Sequence, residues 1–224
     1  MDLKAKFIRR DRGKPPANAD ETVFIVDDDP RVLRGLARLL RSHGFHVRTF
    51  ESARLFLKEH DSFVPGCLIL DVAMPELSGL ELQDALAKCT VRRMIIFLSG
   101  HGDIPAATRA MRAGAVDFLT KPVNGEALLG AVREAMERDR LARIVSAANL
   151  TSQKRFATLT PREREVMEHV VDGRLNKEIA SDLGTVEKTV KVHRGRVMSK
   201  MGARSLAELV RIALRLGIGG NSQP

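Results

Sequence analysis

Six side chains able to carry out polar chemistry follow apolar runs in the first part of the chain. They are Asp27, Asp28, Asp29, Asp71, Ser99 and Lys121. Carboxylates held close together repel one another, and a hard divalent cation bound through oxygen atoms relieves that repulsion. The same cation neutralises charge on a phosphoryl group that arrives at one carboxylate, while a lysine contacts phosphate as a point charge. These residue types indicate phosphoryl transfer to a carboxylate, provided that the fold brings them together.

The apolar pattern between residues 22 and 140 predicts the elements that would position these side chains. Short apolar runs predict strands at 22–26, 46–50, 67–70, 94–98 and 117–119. Amphipathic stretches predict helices at 30–42, 53–59, 80–88, 104–112 and 125–139. Five strands alternating with five helices are typical of a doubly wound, five-stranded parallel α/β sheet. Sites in such sheets form at the carboxyl ends of the strands, so the six side chains are expected at one edge.

Each acidic residue also has a simpler structural interpretation. Asp27 to Asp29 could be an ordinary strand-to-helix turn in which Asp29 caps the helix and Pro30 occupies its first turn. For one isolated turn that interpretation would be preferred. The arrival of a further carboxylate, a hydroxyl and an amine at the same predicted edge favours a functional site.

Three motifs resemble those of the receiver domain of two-component response regulators, across residues 22 to about 140. They are Phe-Ile-Val-Asp-Asp-Asp-Pro at 24–30, Leu-Asp-Val-Ala-Met-Pro at 70–75 and Phe-Leu-Thr-Lys-Pro at 118–122. The resemblance implies a flavodoxin-like fold in which Asp71 accepts a phosphoryl group. It also implies a Mg²⁺ site made by Asp27, Asp28, Asp71 and the backbone carbonyl of Ala73.

The same resemblance assigns roles to three residues on the later strands. Ser99 is implied as the switch hydroxyl, Phe118 as the switch aromatic residue and Lys121 as the lysine that contacts the phosphoryl group. The family also implies a cis peptide bond before Pro122. Asp29 is expected to be a helix cap or an outer charge rather than a metal ligand.

After about residue 140 only helical patterns remain, at 161–172, 176–183, 187–201 and 205–216. Thr160 and Glu163 form a capping box that predicts the first of these helices. The helix at 187–201 has an inward stripe of Val190, Val197 and Met201 and carries six basic side chains. A short helix, a glycine turn and a basic amphipathic helix form a helix-turn-helix, although periodicity alone fits a helical bundle with a basic solvated face equally well.

Residues 158–216 resemble the LuxR-type DNA-binding domain of the FixJ/NarL subfamily. The matching strings are Leu-Thr-Pro-Arg-Glu at 159–163 and Thr-Val-Lys-Val-His at 189–193. The resemblance implies that eight residues lie towards DNA, with a mixture of base and phosphate contacts. They are Asn176, Lys177, Lys188, Thr189, Lys191, His193, Arg194 and Lys200.

One position departs from that family's pattern. Val186 stands where the family usually has serine, and a valine side chain cannot accept the hydrogen bond that caps a helix. Loss of such a cap costs about 0.5–2 kcal/mol. Thr185 is the alternative cap, and its use would start the helix one residue early.

Charge and composition support this division of the chain. The net charge is +9, and residues 151–224 hold 14 Lys and Arg against eight Asp and Glu, whereas residues 20–140 are slightly acidic. A basic C-terminal block favours a polyanionic partner. We predict a disordered basic leader at 1–19, a receiver domain at 20–142, a linker at 143–157 and a DNA-binding domain at 158–220.

A cytoplasmic location is predicted from the cysteine content and from the absence of membrane-spanning and secretory patterns. Two cysteines, Cys67 and Cys89, without a C-x-x-C pair suit a reducing cytoplasm, and Cys67 is expected to pack as a small buried hydrophobic residue. No run of 18 apolar residues predicts a membrane span, and the N-terminus does not match a secretory signal.

The preferred hypothesis is a response regulator rather than an enzyme. A histidine kinase would phosphorylate Asp71 with Mg²⁺, and this would switch homodimerisation and promoter binding, with RNA polymerase as a further candidate partner. The alternative is an aspartate-nucleophile phosphohydrolase, but such enzymes of the haloacid dehalogenase type carry a second Asp where this chain has Ala73. A nucleotide or flavin site would need a glycine-rich phosphate loop, which is absent, and single-strand binding by stacking is disfavoured because Trp and Tyr are absent.

Overall fold

The structure is a computed structural model that describes residues 21–88, 93–100 and 104–219. The predicted leader at 1–19 and Cys89 lie outside the described residues. Contacts divide the chain into two compact units, and the division falls after Ala142.

The first unit contains a five-stranded parallel sheet in the order β2-β1-β3-β4-β5. Its strands are β1 Thr22–Val26, β2 His46–Phe50, β3 Gly66–Asp71, β4 Met94–Ser99 and β5 Asp117–Thr120. The first two strands agree with the prediction to the residue. The other three end one residue later than predicted because their polar last residues continue the ladder, in which Asp71 pairs with Leu98 and Ser99 with Thr120.

Five helices accompany the sheet in the part of the first unit that the structure describes. They are α1 Pro30–Ser42, α2 Ala53–Glu59, α3 Gly79–Leu86, α4 Ile104–Arg112 and α5 Gly125–Ala157. Asp29 caps α1, as expected, and accepts a hydrogen bond from the backbone N–H of Arg31 at 2.8 Å. The helix α3 begins one residue earlier than predicted because Ser78 and Glu81 form a capping box at its start.

Two hydrophobic cores cover the two faces of the sheet. Alternate residues of β1 belong to different cores, since Val23 and Ile25 pack with α1 and α5 while Phe24 and Val26 pack with α2 and α3. Cys67 is a free, buried thiol in the first core, as predicted. The doubly wound fold is therefore confirmed, and it leaves the carboxyl ends of the central strands open at one edge.

The predicted end of α5 at residue 139 is wrong, because the helix continues to Ala157. The stretch 143–157 is polar and has small residues, which are also features of linkers. It contains neither glycine nor proline, however, and alanine, arginine and leucine are strong helix formers. The segment is helical, while its assignment as the linker between two domains stays a prediction.

The described part of the second unit, up to residue 219, adds four helices around a core of its own. They are α6 Pro161–Val171, α7 Asn176–Asp182, α8 Glu187–Met201 and α9 Leu206–Arg215. The predicted stripe of Val190, Val197 and Met201 is buried in this core, and the Thr160–Glu163 capping box is present. Within the described ranges, no helix combines the length and the apolar character that a membrane crossing needs.

Candidate functional site

Lys121 lies between the two buried carboxylates of the first unit. Its Nζ atom is 2.7 Å from Asp27 Oδ2 and 2.7 Å from Asp71 Oδ1. Asp27 follows β1, Asp71 ends β3 and Lys121 follows β5, so the parallel sheet brings three distant parts of the chain to one edge. The peptide bond between Lys121 and Pro122 is cis, as the resemblance implied.

The remaining oxygen atoms of both carboxylates accept backbone hydrogen bonds. Asp27 Oδ1 accepts from the N–H of Asp29 at 2.9 Å, and Asp71 Oδ2 accepts from the N–H of Ala73 at 3.1 Å. The side chains of Asp27 and Asp71 are almost fully buried, whereas Asp28 is exposed. The two buried carboxylates are thus held in fixed orientations, and Asp28 stands at the solvent side of the cluster.

Burial and neighbouring charges shift the pKa values of this cluster. Burial raises the pKa of Asp71, and the nearby acids Asp27 and Asp28 raise it further, so that the hydrogen bond from Lys121 only partly compensates. Burial lowers the pKa of Lys121, but its bonds to Asp27 and Asp71 outweigh that effect and raise the pKa overall. Lys121 is therefore a firmly protonated cation beside a carboxylate whose charged form is disfavoured.

Ser99 and Phe118 lie near this cluster in different ways. Ser99 is buried and lines the same open cleft of about 460 Å³ as Asp27, Asp28, Asp71 and Lys121. Its backbone oxygen accepts a hydrogen bond from the N–H of Lys121 at 2.7 Å. Phe118 is half-buried, and its ring packs against that of Phe97 with 6.1 Å between centroids.

Asp29 belongs to the start of α1 rather than to the lysine-bridged pair. Its hydrogen bonds with Arg31 lower the pKa of Asp29 to about 2, and the guanidinium of Arg31 contacts both of its carboxylate oxygens. Its predicted role as a helix cap is confirmed.

Gly79 is a residue of this region that no sequence motif identifies. A Cβ atom at this position would lie 2.2 Å from the backbone oxygen of Asp71, far inside contact distance. The N–H of Gly79 also donates to the backbone oxygen of Val72 at 3.0 Å. Only glycine lets α3 begin this close to the backbone of Asp71. The Ser-Gly pair at the start of the helix does not reveal from sequence that the two backbones lie so close.

The donor atoms of the cleft suit a hard divalent cation. Asp27, Asp28 and Asp71 offer carboxylate oxygens, which are the ligands that Mg²⁺ prefers. Among the residues that the structure describes, no three side chains of His, Cys, Asp or Glu are already gathered around one point. Instead the ammonium of Lys121 bridges two of the carboxylates and offsets their charge.

The second unit presents a basic helix beside a short scaffold helix. Arg194 Nη1 on α8 donates to Asn176 Oδ1 on α7 at 3.1 Å, and this bond ties the two helices together. Lys177, Lys188 and Lys191 are exposed, while Thr189 and His193 are half-buried. This is the helix-turn-helix arrangement, with α8 in the position of a recognition helix.

Lys200, like Arg194 and Asn176, has partners within the unit. Its Nζ atom lies 2.6 Å from the buried Glu163 Oε2 and 3.2 Å from the backbone oxygen of Thr158. The bond from Lys200, together with the backbone N–H of Thr160, lowers the pKa of Glu163. The contact of Lys200 with DNA stays a prediction.

Val186 is the N-cap residue of α8, and no side chain caps the helix there. Its side chain is 64% exposed. Thr185 does not start the helix early, since α8 begins at Glu187 and the N–H of Thr185 donates to the backbone oxygen of Ala180. The missing cap that the sequence predicted is thus confirmed.

The receiver-type fold with its lysine-bridged aspartates, followed by a helix-turn-helix unit, defines a class of signalling protein. The family model of the response regulator receiver domain matches residues 23–133. The family model of bacterial regulatory proteins of the luxR family matches residues 157–213. The chain belongs to the two-component response regulators of the FixJ/NarL type, and it controls transcription.

Individual relatives support the same conclusion over most of the chain. Nodulation protein W of Bradyrhizobium diazoefficiens is 47% identical over 209 residues, which is 93% of this chain and 92% of that protein. The transcriptional regulatory protein FixJ of Azorhizobium caulinodans is 45% identical and covers 88% of this chain and 93% of its own length. The response regulator StyR is similar in structure, with a TM-score of 0.78, 44% identity and coverage of 88% and 100%.

Proposed function

We propose that Asp71 is the phosphoacceptor and that a sensor histidine kinase is its donor. The observation that carries this proposal is the bridge from Lys121 to both Asp71 and Asp27, with Ser99 lining the same cleft. An acceptor carboxylate needs a nearby fixed cation, because the phosphoryl group brings negative charge to a site that is already acidic.

The chemistry follows from the atoms in the cleft. A carboxylate oxygen of Asp71 attacks the phosphorus atom of the donor, the new O–P bond forms and the N–P bond to the donor imidazole breaks. Lys121, which contacts the carboxylate of Asp71 before the transfer, then contacts a phosphoryl oxygen. Asp27, Asp28, Asp71 and the carbonyl of Ala73 would hold Mg²⁺, which supplies neutralisation of the phosphoryl oxygens.

Ser99 and Phe118 are proposed to report the phosphorylated state. The hydroxyl of Ser99, in the wall of the cleft, would hydrogen-bond to a phosphoryl oxygen. Phe118 lies in β5, which pairs with the strand of Ser99, and its half-buried ring can change its packing against Phe97. Such a local change of charge and packing can bias an element that has two conformations.

The output is proposed to be sequence-specific binding to promoter DNA in the cytoplasm by a homodimer, with RNA polymerase as a further partner. Exposed lysines on α7 and α8 suit phosphate contacts, and α8 suits the major groove. The contacting residues are Asn176, Lys177, Lys188, Thr189, Lys191, His193, Arg194 and Lys200. Two half-sites read by a symmetric dimer are the expected geometry.

We propose no turnover of an external metabolite. A phosphohydrolase would need an acid or base close to the nucleophile on its own loop, whereas the residue two positions after Asp71 is Ala73. The N–H of Ala73 instead orients the carboxylate of Asp71. Loss of the phosphoryl group from Asp71 would reset the protein rather than process a substrate.

The proposal is tested by incubating the full chain with a small acyl phosphate and Mg²⁺ and measuring intact mass. One phosphoryl group that hydroxylamine removes is the expected product on the wild type. Asp71→Asn should remain unmodified, and Asp84→Asn, a surface aspartate in an ion pair with Arg109, should label normally. Equal labelling of Asp71→Asn would show that another residue accepts the phosphoryl group.

A further inference from the structure

The C-terminal ends of α5 and α8 meet in the second unit, and a cationic side chain from each end donates a hydrogen bond to the other. Arg155, in the last turn of α5, donates from Nη1 to the backbone oxygen of Met201, the last residue of α8, at 3.0 Å. In the opposite direction, Lys200 of α8 donates to the backbone oxygen of Thr158, one residue past the end of α5, at 3.2 Å. The end of the recognition helix is thus fastened to the end of α5 by two reciprocal bonds.

Gly202 makes room for the first of these bonds. It ends α8 in the left-handed conformation, with φ at 66°, which favours glycine. A Cβ atom here would lie 2.4 Å from Arg155 Nη1 and 2.8 Å from Cζ. The guanidinium therefore lies directly against the glycine, where any other residue would displace it.

Electrostatics explains why cations gather at this point. The C-terminal ends of α5 and α8 both carry partial negative charge on carbonyl groups that lack helical partners. The carboxylate of Glu163, buried beside Lys200, adds a full negative charge. Arg155 and Lys200 offset these charges, so the junction depends on both cations.

The connectivity of α5 gives this junction a specific place in the molecule. Earlier turns of α5 contribute Leu128, Val132 and Met136 to the core of the first unit. Near its end, Phe156 packs against the core of the second unit. The helix α5 therefore contributes to both cores, and Arg155 in its last turn holds the end of α8.

We propose that Arg155 is a positioning residue that couples the phosphorylation state of Asp71 to the recognition helix. A change in the course of α5 reaches α8 through the bond from Arg155 to Met201, while Arg155 itself contacts neither the phosphoryl group nor a base. The inference rests on the proposed function, because it requires that phosphorylation changes the affinity for DNA.

The experiment uses the full chain and compares the affinity for promoter DNA before and after treatment with an acyl phosphate and Mg²⁺. The variants are Arg155→Ala, Arg155→Gln and Arg155→Lys. The matched control is Lys154→Ala, which removes the same charge from the neighbouring exposed position of α5. Mass, thermal unfolding and the salt dependence of binding are measured for each variant.

A wild-type affinity ratio in the range of about 5–150-fold is typical of coupled sites. We expect Arg155→Ala and Arg155→Gln to be phosphorylated normally while their ratio falls towards one, with Arg155→Lys restoring part of it. Lys154→Ala should keep the wild-type ratio. The salt slope should be unchanged in the Arg155 variants, because a positioning residue releases no counterion.

The outcomes separate the two proposals. A wild type that is not phosphorylated, or whose affinity does not change, contradicts the proposed function itself. A wild-type ratio retained by a folded Arg155→Ala or Arg155→Gln overturns the inference. A salt slope reduced by about one would also overturn it, because Arg155 would then be a direct phosphate contact. If Arg155→Ala does not fold, the affinity ratio of the more conservative Arg155→Gln tests the inference.

Discussion

Lys121 Nζ lies 2.7 Å from Asp71 Oδ1, and the ammonium holds this carboxylate against Asp27, which is equally close on its other side. The contact requires that two acidic side chains, Asp27 and Asp71, lose their hydration in one cleft. The contact orients the carboxylate of Asp71, the proposed phosphoacceptor, and places a cation where it could bind a phosphoryl oxygen.

Replacing Asp71 by asparagine should stabilise the first unit at neutral pH. Burial raises the pKa of Asp71 above its unfolded value, so the folded state binds its proton more tightly than the unfolded state does. The folded state is therefore penalised once the pH exceeds the folded pKa, and the penalty disappears as the pH falls towards the unfolded value. Urea unfolding of wild type and Asp71→Asn at pH 7 and at lower pH measures this difference.

Asp84→Asn is the matched control, because Asp84 is an exposed acid outside the cleft. Asp84→Asn should show no comparable gain in the free energy of unfolding. A lower free energy of unfolding for Asp71→Asn than for wild type at pH 7 would mean that the bond to Lys121 outweighs burial.

Gly79→Ala should disturb the proposed acceptor Asp71 without changing any charged group. The new Cβ would stand 2.2 Å from the backbone oxygen of Asp71, so the backbone there must move. Overpacking of this kind costs about 1–3 kcal/mol. We expect a lower free energy of unfolding and slower labelling by an acyl phosphate, measured by denaturation and by mass.

Gly35→Ala provides the comparison for Gly79→Ala. Gly35 lies within α1 with nothing within 4 Å of its added Cβ, so alanine there should stabilise the unit by about 0.4–1 kcal/mol and leave labelling unchanged. Normal labelling of Gly79→Ala at the wild-type rate would show that the position of the Asp71 backbone is not critical.

Val186→Ser should stabilise the recognition helix. Serine at the N-cap of α8 can accept the hydrogen bond that valine leaves unmade, and a restored cap contributes about 0.5–2 kcal/mol. Thermal unfolding of the full chain should show a higher midpoint for the transition of the second unit. Val186→Ala shortens the side chain without adding an acceptor, so its unfolding midpoint should not rise. An equal gain in the midpoint of both variants would refute the capping explanation.

Lys191→Ala should weaken DNA binding mainly through lost phosphate contact. The side chain is exposed on α8, and loss of one such contact lowers the salt slope of binding by about one. The slope is obtained from binding titrations at several salt concentrations. Lys58→Ala, an exposed lysine of α2 in the first unit, should leave the slope at its wild-type value, and an unchanged slope in Lys191→Ala would remove this lysine from the proposed interface.

Local sequence determined much of the molecule by itself. Strands at 22–26 and 46–50, the Asp29 cap and the Thr160–Glu163 capping box follow from patterns of a few neighbouring residues, and all are present. Strand-end chemistry also predicted that Asp27, Asp71 and Lys121 would meet, because parallel strands share one carboxyl edge. These features depend on short-range preferences and on the topology of the fold class.

Tertiary structure alone decided the features that join distant segments. The approach of Gly79 to Asp71, the bond of Lys200 to the buried Glu163 and the contact of Arg155 with Met201 each link residues of different elements. Such contacts depend on how helices pack in three dimensions, which spacing along the chain does not encode. The end of α5 differs in kind, because the composition of residues 143–157 is typical of a linker but also permits a helix, since glycine and proline are absent.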